Sequence, residues 1–181
     1  VSDATALATL IRAVDFAARK HRMQRRKDAE ASPYINHPIA LASVLAVEAG
    51  IDDPLVLCAA VLHDTVEDTE TSIEELVEHF GAEVAAVVAE VSDDKSLDKA
   101  ARKALQVARA AHSSRAARLV KLADKICNLR DLLASPPAGW SAERKREYFV
   151  WAGRVIDGLR GTHAGLEAIF DGLLARSEEF R

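Results

Sequence analysis

The sequence predicts an all-α protein, and three observations carry this reading. Apolar residues recur at three- and four-residue spacing along nearly the whole 181-residue chain, which is the period of an amphipathic helix. No segment reads convincingly as a strand with alternating apolar and polar residues. Capping residues, prolines and glycines divide the chain into about eight to nine helical segments. No internal repeat, low-complexity run or linker marks a second domain, so residues 1–181 are read as a single domain large enough to bury a core.

The elements follow in order. Leu7, Leu10, Ile11, Val14 and Ala18 lie at helical spacing. A basic cluster follows, Arg19, Lys20, His21, Arg22, Arg25, Arg26 and Lys27. It is either a solvated helix end or a grip for an anion. Asp28 to Pro33 is a polar loop. Pro38 suits a first helical turn and puts His37 at a helix entrance, with Ile39, Ala42, Leu45 and Ala46 continuing and Gly50 stopping it. Asp53-Pro54 starts a further helix, and the apolar run from Leu55 to Leu62 belongs to it. Length alone would allow a buried strand there, but Ala59-Ala60 and the Asp-Pro start favour a buried helix.

Ser72 and Glu75 form a capping-box pattern ahead of Ile73, Leu76, Val77 and Phe80, and Gly81 ends that helix. Val84, Val87, Val88 and Val91 repeat the spacing in the next one. Leu97 to about Ala111 is a helix carrying Lys99, Arg102 and Lys103. After His112-Ser113-Ser114, the residues Leu119, Val120, Ala123, Ile126, Cys127 and Leu129 define a long helix with Asp124 beside its apolar face. Ser135 to Trp140 is a loop, Ser141 caps the helix of Tyr148, Phe149, Trp151 and Val155, and Leu166, Ile169, Phe170, Leu173 and Leu174 make the last helix. The tail from Arg176 to Arg181 is expected to fray.

Composition narrows the function classes. Apolar residues are 49% and charged residues 29%, ordinary for a globular protein, and the formal net charge of −4 argues against general nucleic-acid binding. The two cysteines, Cys58 and Cys127, sit in apolar helical patterns and read as buried thiols of a reducing compartment. No apolar stretch has the length of a membrane span and no signal-peptide pattern is seen, so the expected setting is the cytoplasm, away from membranes.

The chemistry concentrates in Leu62 to Thr69. His63, Asp64, Glu67 and Asp68 place one imidazole and three carboxylates directly behind an apolar run. Three like charges so close repel unless a cation or a catalytic role justifies them. If the segment stays helical, His63 lies one turn from Glu67 and Asp64 one turn from Asp68. His37, His63, Asp64 and Asp124 together offer two imidazoles and two carboxylates. That mixture suits Mn, Fe, Co or Zn better than Mg or Ca. An acid on a buried face needs a partner; for Asp124 this is either the metal or a nearby Lys or Arg. No Gly-x-Ser-x-Gly, Walker-type or Gly-x-Gly-x-x-Gly motif competes, and the paired-cysteine spacing of a structural zinc site is absent.

Arg25-Arg26-Lys27-Asp28, Tyr34-Ile35-Asn36-His37-Pro38, His63 to Thr69, Leu122-Ala123-Asp124-Lys125 and Asn128-Leu129-Arg130 together resemble the HD-domain metal-dependent phosphohydrolases. The likeness is to the hydrolase domain of RelA/SpoT-type proteins, in its small stand-alone alarmone hydrolase form of the animal SpoT-homologue type. It extends through Gly139-Trp140-Ser141 and Glu147-Tyr148-Phe149. The resemblance implies an all-α HD-domain bundle and hydrolysis of guanosine 3′,5′-bis(diphosphate), and of the pentaphosphate, to GDP or GTP and pyrophosphate by a metal-activated water. It implies His37, His63, Asp64 and Asp124 as metal ligands, usually for Mn²⁺, with Zn²⁺, Fe²⁺ and Co²⁺ also suited to the donors. Glu67 and Asp68 match the catalytic acidic pair.

In the same resemblance Arg26 matches the residue that packs on the guanine base, with Lys27 beside it. Asn128 matches a ribose contact and Tyr148 a position at the phosphate end. Asp131 is a departure, standing where the long bacterial enzymes often have Thr near the ribose. Lys99, Arg102, Lys103, Arg144 and Arg146 are weaker candidates for a phosphate grip, each read first as part of a solvated helix face. Two other functions share these residues: removal of the 2′-phosphate of NADPH, giving NADH, and nucleotide sensing with incidental hydrolysis. The expected partner is a small nucleotide; oligomeric state is left open.

Overall fold

A computed structural model describes residues 3–180. It is built from α1 (Asp3–Lys20), α2 (Asn36–Ser43), α3 (Pro54–Leu62), the single turn α4 (Thr65–Asp68), α5 (Ile73–Phe80), α6 (Ala82–Val91), α7 (Lys99–Ala110), α8 (Arg115–Ala134), α9 (Ala142–Asp157) and α10 (Ala164–Ala175). Leaving α4 aside, these are nine helices of eight or more residues, as the periodicity predicts. A π turn, Val44–Glu48, extends α2, and a 3₁₀ turn, Arg176–Phe180, follows α10. Among the described residues there is no strand, only an isolated antiparallel bridge between Arg25 and Pro33.

The bundle is organised around α3. Asp53 caps it by accepting from the Leu55 N–H, Pro54 opens it, and every residue from Val56 to Leu62 is buried. A helix apolar on all sides needs neighbours on all sides. Here α1, α2, α6 and α8 pack against it. Each Val or Leu fully buried this way contributes about 1.5–3 kcal/mol. The valines of α6 and the apolar face of α8 join the same core. No described helix is long and apolar enough to cross a membrane.

Several local expectations give way to packing. On α1 the buried residues are Ala13, Phe16 and Ala17, whereas Leu7 and Ile11 are 62% and 59% exposed. The stripe facing α3 is thus the small-residue one, which lets the two helices approach closely. On α2 and its π turn, His37, Pro38, Leu41, Val44 and Leu45 make the buried face at helical spacing, while Ile39 and Ala46 lie off it and are exposed. Ser72 accepts from the Glu75 N–H, but the Glu75 carboxylate reaches Lys20 on α1. The tail does not fray within the described residues. Phe180 packs edge-on to Phe149, and its carbonyl accepts from Arg146.

Candidate metal centre and substrate cleft

Three packed helices deliver the candidate ligands. His37 comes from the first turn of α2, His63 from the residue just past α3, and Asp124 from the middle of α8. Their donor atoms all lie within 4.8 Å of one another. His37 Nε2 is 3.3 Å and His63 Nε2 4.0 Å from Asp124 Oδ1. Asp64 stands at the edge of this group rather than inside it. Its Oδ2 is 2.9 Å from His63 Nε2 and accepts from the Tyr34 hydroxyl.

The helix of the motif is not continuous. Asp64 has φ −98° and ψ −3°, which breaks α3 from α4 and turns the two side chains of the His-Asp pair toward one point. Hydrogen bonding resumes at once, the Asp68 N–H donating to the Asp64 carbonyl, so Glu67 and Asp68 sit one turn beyond the ligands.

The donor set fits a divalent transition ion. His63 Nδ1 donates to the Ala60 carbonyl at 2.8 Å, which fixes the tautomer and leaves Nε2 with a bare lone pair. That Nε2 is buried and has no hydrogen-bond partner of good geometry. A buried lone pair aimed at a carboxylate is costly unless a cation lies between them. The electrostatics agree. Burial opposes a charge on His63, yet Asp64 and Asp124 raise its pKa above the ordinary value. Burial likewise opposes ionisation of Asp124, but Lys125 and His37 hold it well below the usual carboxylate range. For Asp64 the same balance runs against burial through His63 and His37.

The far oxygen of Asp124 accepts from Lys125 at 2.8 Å and the near oxygen from Asn128 Nδ2 at 2.7 Å. The carboxylate is thereby locked in place from behind. Lys125 is 3% exposed and lies 4.6 Å from the centre of the Trp151 ring.

All ten site residues expected from the sequence, His37, His63, Asp64, Asp124, Glu67, Asp68, Arg26, Lys27, Asn128 and Tyr148, line one cleft of about 540 Å³. Glu67 accepts from the Asp93 N–H at 3.0 Å. Burial, helped by the Asp93, Asp64 and Asp68 charges, raises its pKa above the ordinary value. Asp68 accepts from Gln24 Nε2 at 2.9 Å and from Lys95. Arg26 pairs with Asp131 and lies 5.7 Å from the Tyr34 ring centre. Tyr148 is within 5.2 Å of Trp151, centre to centre, and burial pushes its hydroxyl up to about 12.

The weaker cationic candidates divide. Lys99, Arg102, Lys103 and Arg144 line the cleft; Arg146 does not, being engaged with Phe180. Lys121 and Lys125 were not foreseen in the cleft, though the signal was present. Lys121, Asp124, Lys125 and Asn128 lie at i, i+3, i+4 and i+7, one polar stripe on an otherwise buried helix. His21 leaves the basic cluster: it is buried, and burial lowers its pKa, so it is not a cationic grip. A second hollow of about 610 Å³ adjoins the cleft, sharing Arg26, Tyr34, Asn128 and Tyr148 and adding Asp131 and Pro137.

Residues 13–153 match the family described as HD domain. The chain is 61% identical over 160 residues to the human guanosine-3′,5′-bis(diphosphate) 3′-pyrophosphohydrolase MESH1, covering 88% of this chain and 89% of that protein. To the Drosophila melanogaster MESH1 it is 53% identical over 164 residues, covering 91% and 92%. A solved structure described as a metazoan orthologue of SpoT that hydrolyses ppGpp superposes with a TM-score of 0.91 at 51% identity, over 93% of this chain and 95% of that one.

Proposed function

Because the chain belongs to the HD-domain family of MESH1-type guanosine-3′,5′-bis(diphosphate) 3′-pyrophosphohydrolases, we propose that it hydrolyses guanosine 3′,5′-bis(diphosphate), and the pentaphosphate, to GDP or GTP and pyrophosphate. The observation that carries this reading is the His37, His63 and Asp124 donor cage opening onto a cleft with a basic wall. A substrate bearing two diphosphates needs that wall beside so many carboxylates. The whole chain acts as one phosphohydrolase domain.

His37, His63 and Asp124, with Asp64 at the edge, hold a divalent ion, which we take to be Mn²⁺; Zn²⁺, Fe²⁺ and Co²⁺ suit the same donors. When bound, such an ion lowers the pKa of water and polarises the phosphoryl group. The protein's own groups do the rest. Water forms a bond to the phosphorus nearest the ribose, the bond from that phosphorus to the 3′ oxygen breaks, and the 3′ oxygen leaves with the proton that the attacking water gave up to Glu67. Glu67 accepts the proton of the attacking water, a role suited to a carboxylate whose pKa is raised by burial. Asp68 orients that water. Lys99, Arg102, Lys103 and Arg144 hold the phosphates, and Arg26, Lys27, Asn128 and Tyr148 position the nucleoside.

We place the activity in the cytoplasm. Cys58 and Cys127 are free and buried, and burial pushes their thiols up to about 11 and about 12, so both are unreactive.

The test is turnover after stripping metal and restoring Mn²⁺, following pyrophosphate and phosphate release from guanosine 3′,5′-bis(diphosphate) and from NADPH in parallel. Pyrophosphate from the alarmone is the expected product. Phosphate from NADPH alone, or tight alarmone binding without turnover, would overturn the assignment.

A further inference from the structure

We propose that His21, outside the cleft, is a positioning residue that fixes the catalytic carboxylate Asp68 through the side chain of Gln24. The inference rests on the role given above to Asp68.

The chain returns on itself here. The Gln24 N–H donates to the His21 carbonyl at 2.9 Å, and the Tyr34 N–H donates to the Gln24 carbonyl at 3.2 Å. The Arg25–Pro33 bridge fastens the two segments. His21 thereby lies buried against Tyr34, ring centres 4.8 Å apart. Its Nδ1 is 2.6 Å from Gln24 Oε1, and Gln24 Nε2 is 2.9 Å from Asp68 Oδ2.

The direction of each bond follows from donor chemistry. Asp68 also accepts from Lys95, so its carboxylate is the acceptor toward Gln24. The Gln24 nitrogen must then face Asp68 and its oxygen must face His21. An amide oxygen only accepts, so His21 Nδ1 carries the proton. Without that donor nothing would distinguish the two ends of the Gln24 amide at the His21 side. A flipped amide would set oxygen against oxygen at Asp68. The same imidazole stacks on Tyr34, whose hydroxyl donates to Asp64. One buried ring therefore stands behind both the acid that orients water and the acid at the edge of the metal cage. His21 Nε2 is buried without a partner, so the ring makes its one hydrogen bond toward Gln24.

The experiment is a cycle on the full-length Mn²⁺-loaded protein. His21→Phe keeps the ring and the stack but removes the donor; His21→Asn restores a donor at the Nδ1 position; Gln24→Ala removes the relay. Expected is a fall in kcat of about tenfold for His21→Phe, the cost of roughly one misplaced hydrogen bond. KM and metal content should be unchanged, and His21→Asn should recover most of the rate. In the Gln24→Ala background His21→Phe should cost nothing further. A wild-type rate for His21→Phe, multiplicative losses, or failure of the Asn rescue would overturn the inference. Independently of any variant, nitrogen NMR of the zinc-loaded native protein should show His21 as the Nδ1–H tautomer, and the Nε2–H tautomer would overturn it. If the native protein does not turn over the alarmone, it is the assigned function that fails; the tautomer measurement still decides the hydrogen-bond chain.

Discussion

The Arg26 guanidinium is ion-paired with the Asp131 carboxylate where the cleft and the adjoining hollow share a wall. Asp131 is the residue that departs from the resembled pattern. In the structure it holds the guanidinium at the Tyr34 side of the cleft. A preorganised flat cation binds a planar base at lower entropic cost than a free arginine. Asp131→Ala should therefore raise KM for the alarmone by roughly three- to tenfold while leaving kcat in place. Arg26→Ala should raise it at least as much, and the double variant no further, because both act through one group. Steady-state kinetics on the three variants checks this.

Glu67 should set the acid side of the rate profile. Burial raises its pKa, so as pH falls it takes up a proton earlier than an ordinary glutamate would, and the rate should fall with it. Glu67→Gln should keep its metal and lose about 10²–10⁴ in kcat. The same shift has a consequence for stability with a definite sign. The folded pKa lies above the unfolded one, so the contribution favours the fold at low pH and is lost as pH rises through the folded pKa. Glu67→Gln should accordingly gain in Tm relative to the native protein as pH rises above the ordinary glutamate range, about pH 4. Parallel melting curves measure it.

Metal removal should abolish turnover and lower Tm together. An ion at about a hundredfold excess over its Kd stabilises the folded state by about 2.7 kcal/mol. The geometry also ranks the carboxylates. Asp124 shares the cage with both histidines, whereas Asp64 touches only its edge. Both Asp124→Ala and Asp64→Ala should lose activity, and Asp124→Ala should lose more metal affinity, read by competition with a chelator.

Much of this was visible in residue order, and the reason is physical. The metal cage needs His37, His63 and Asp124 at helix positions, and helix boundaries leave strong local marks: Pro38, Asp53-Pro54, Ser114 and Ser141. Which face of each helix turns inward left weaker marks. On α1, Leu7 and Ile11 are more apolar than Ala13 and Ala17, yet close packing against α3 selects the small residues. The break at Asp64 has no local signature either; the side-chain hydroxyl of Thr65 donates to the Leu62 carbonyl and closes the kink. His21 reads as one of a basic cluster because the Tyr34 ring it is buried against is thirteen positions away in sequence, and the burial of Lys125 under Trp151 is likewise set by tertiary packing.

The chain's end bears load in the structure, and that can be weighed. Phe180 and Phe149 meet at 5.5 Å and 64°, and Lys145 lies 5.1 Å from the Phe180 ring centre. An aromatic pair of this kind adds about 0.5–1.5 kcal/mol beyond the area it buries. Phe180→Ala should lower stability by about 1–3 kcal/mol, including the lost burial, in urea titration. Phe180 does not line the cleft, so the rate per folded molecule should stay the same.

Lys125 and Asp124 offer the sharpest check on the metal centre, because the prediction compares one variant with itself. They form a buried ion pair behind the cage, and Lys125 also packs under Trp151. Removing one partner of such a pair strands the other charge and typically costs about 3–5 kcal/mol. Lys125→Met keeps the stem and removes the charge. In stripped protein Asp124 then keeps Asn128, the histidines and the charge of the nearby Lys121, and the loss should appear at its largest. With Mn²⁺ present the ion supplies positive charge at the other carboxylate oxygen, and the loss should shrink. The Tm gain on adding Mn²⁺ should thus be larger in Lys125→Met than in the native protein. An equal loss with and without Mn²⁺ would mean that packing against Trp151, and not the charge behind Asp124, is what Lys125 contributes.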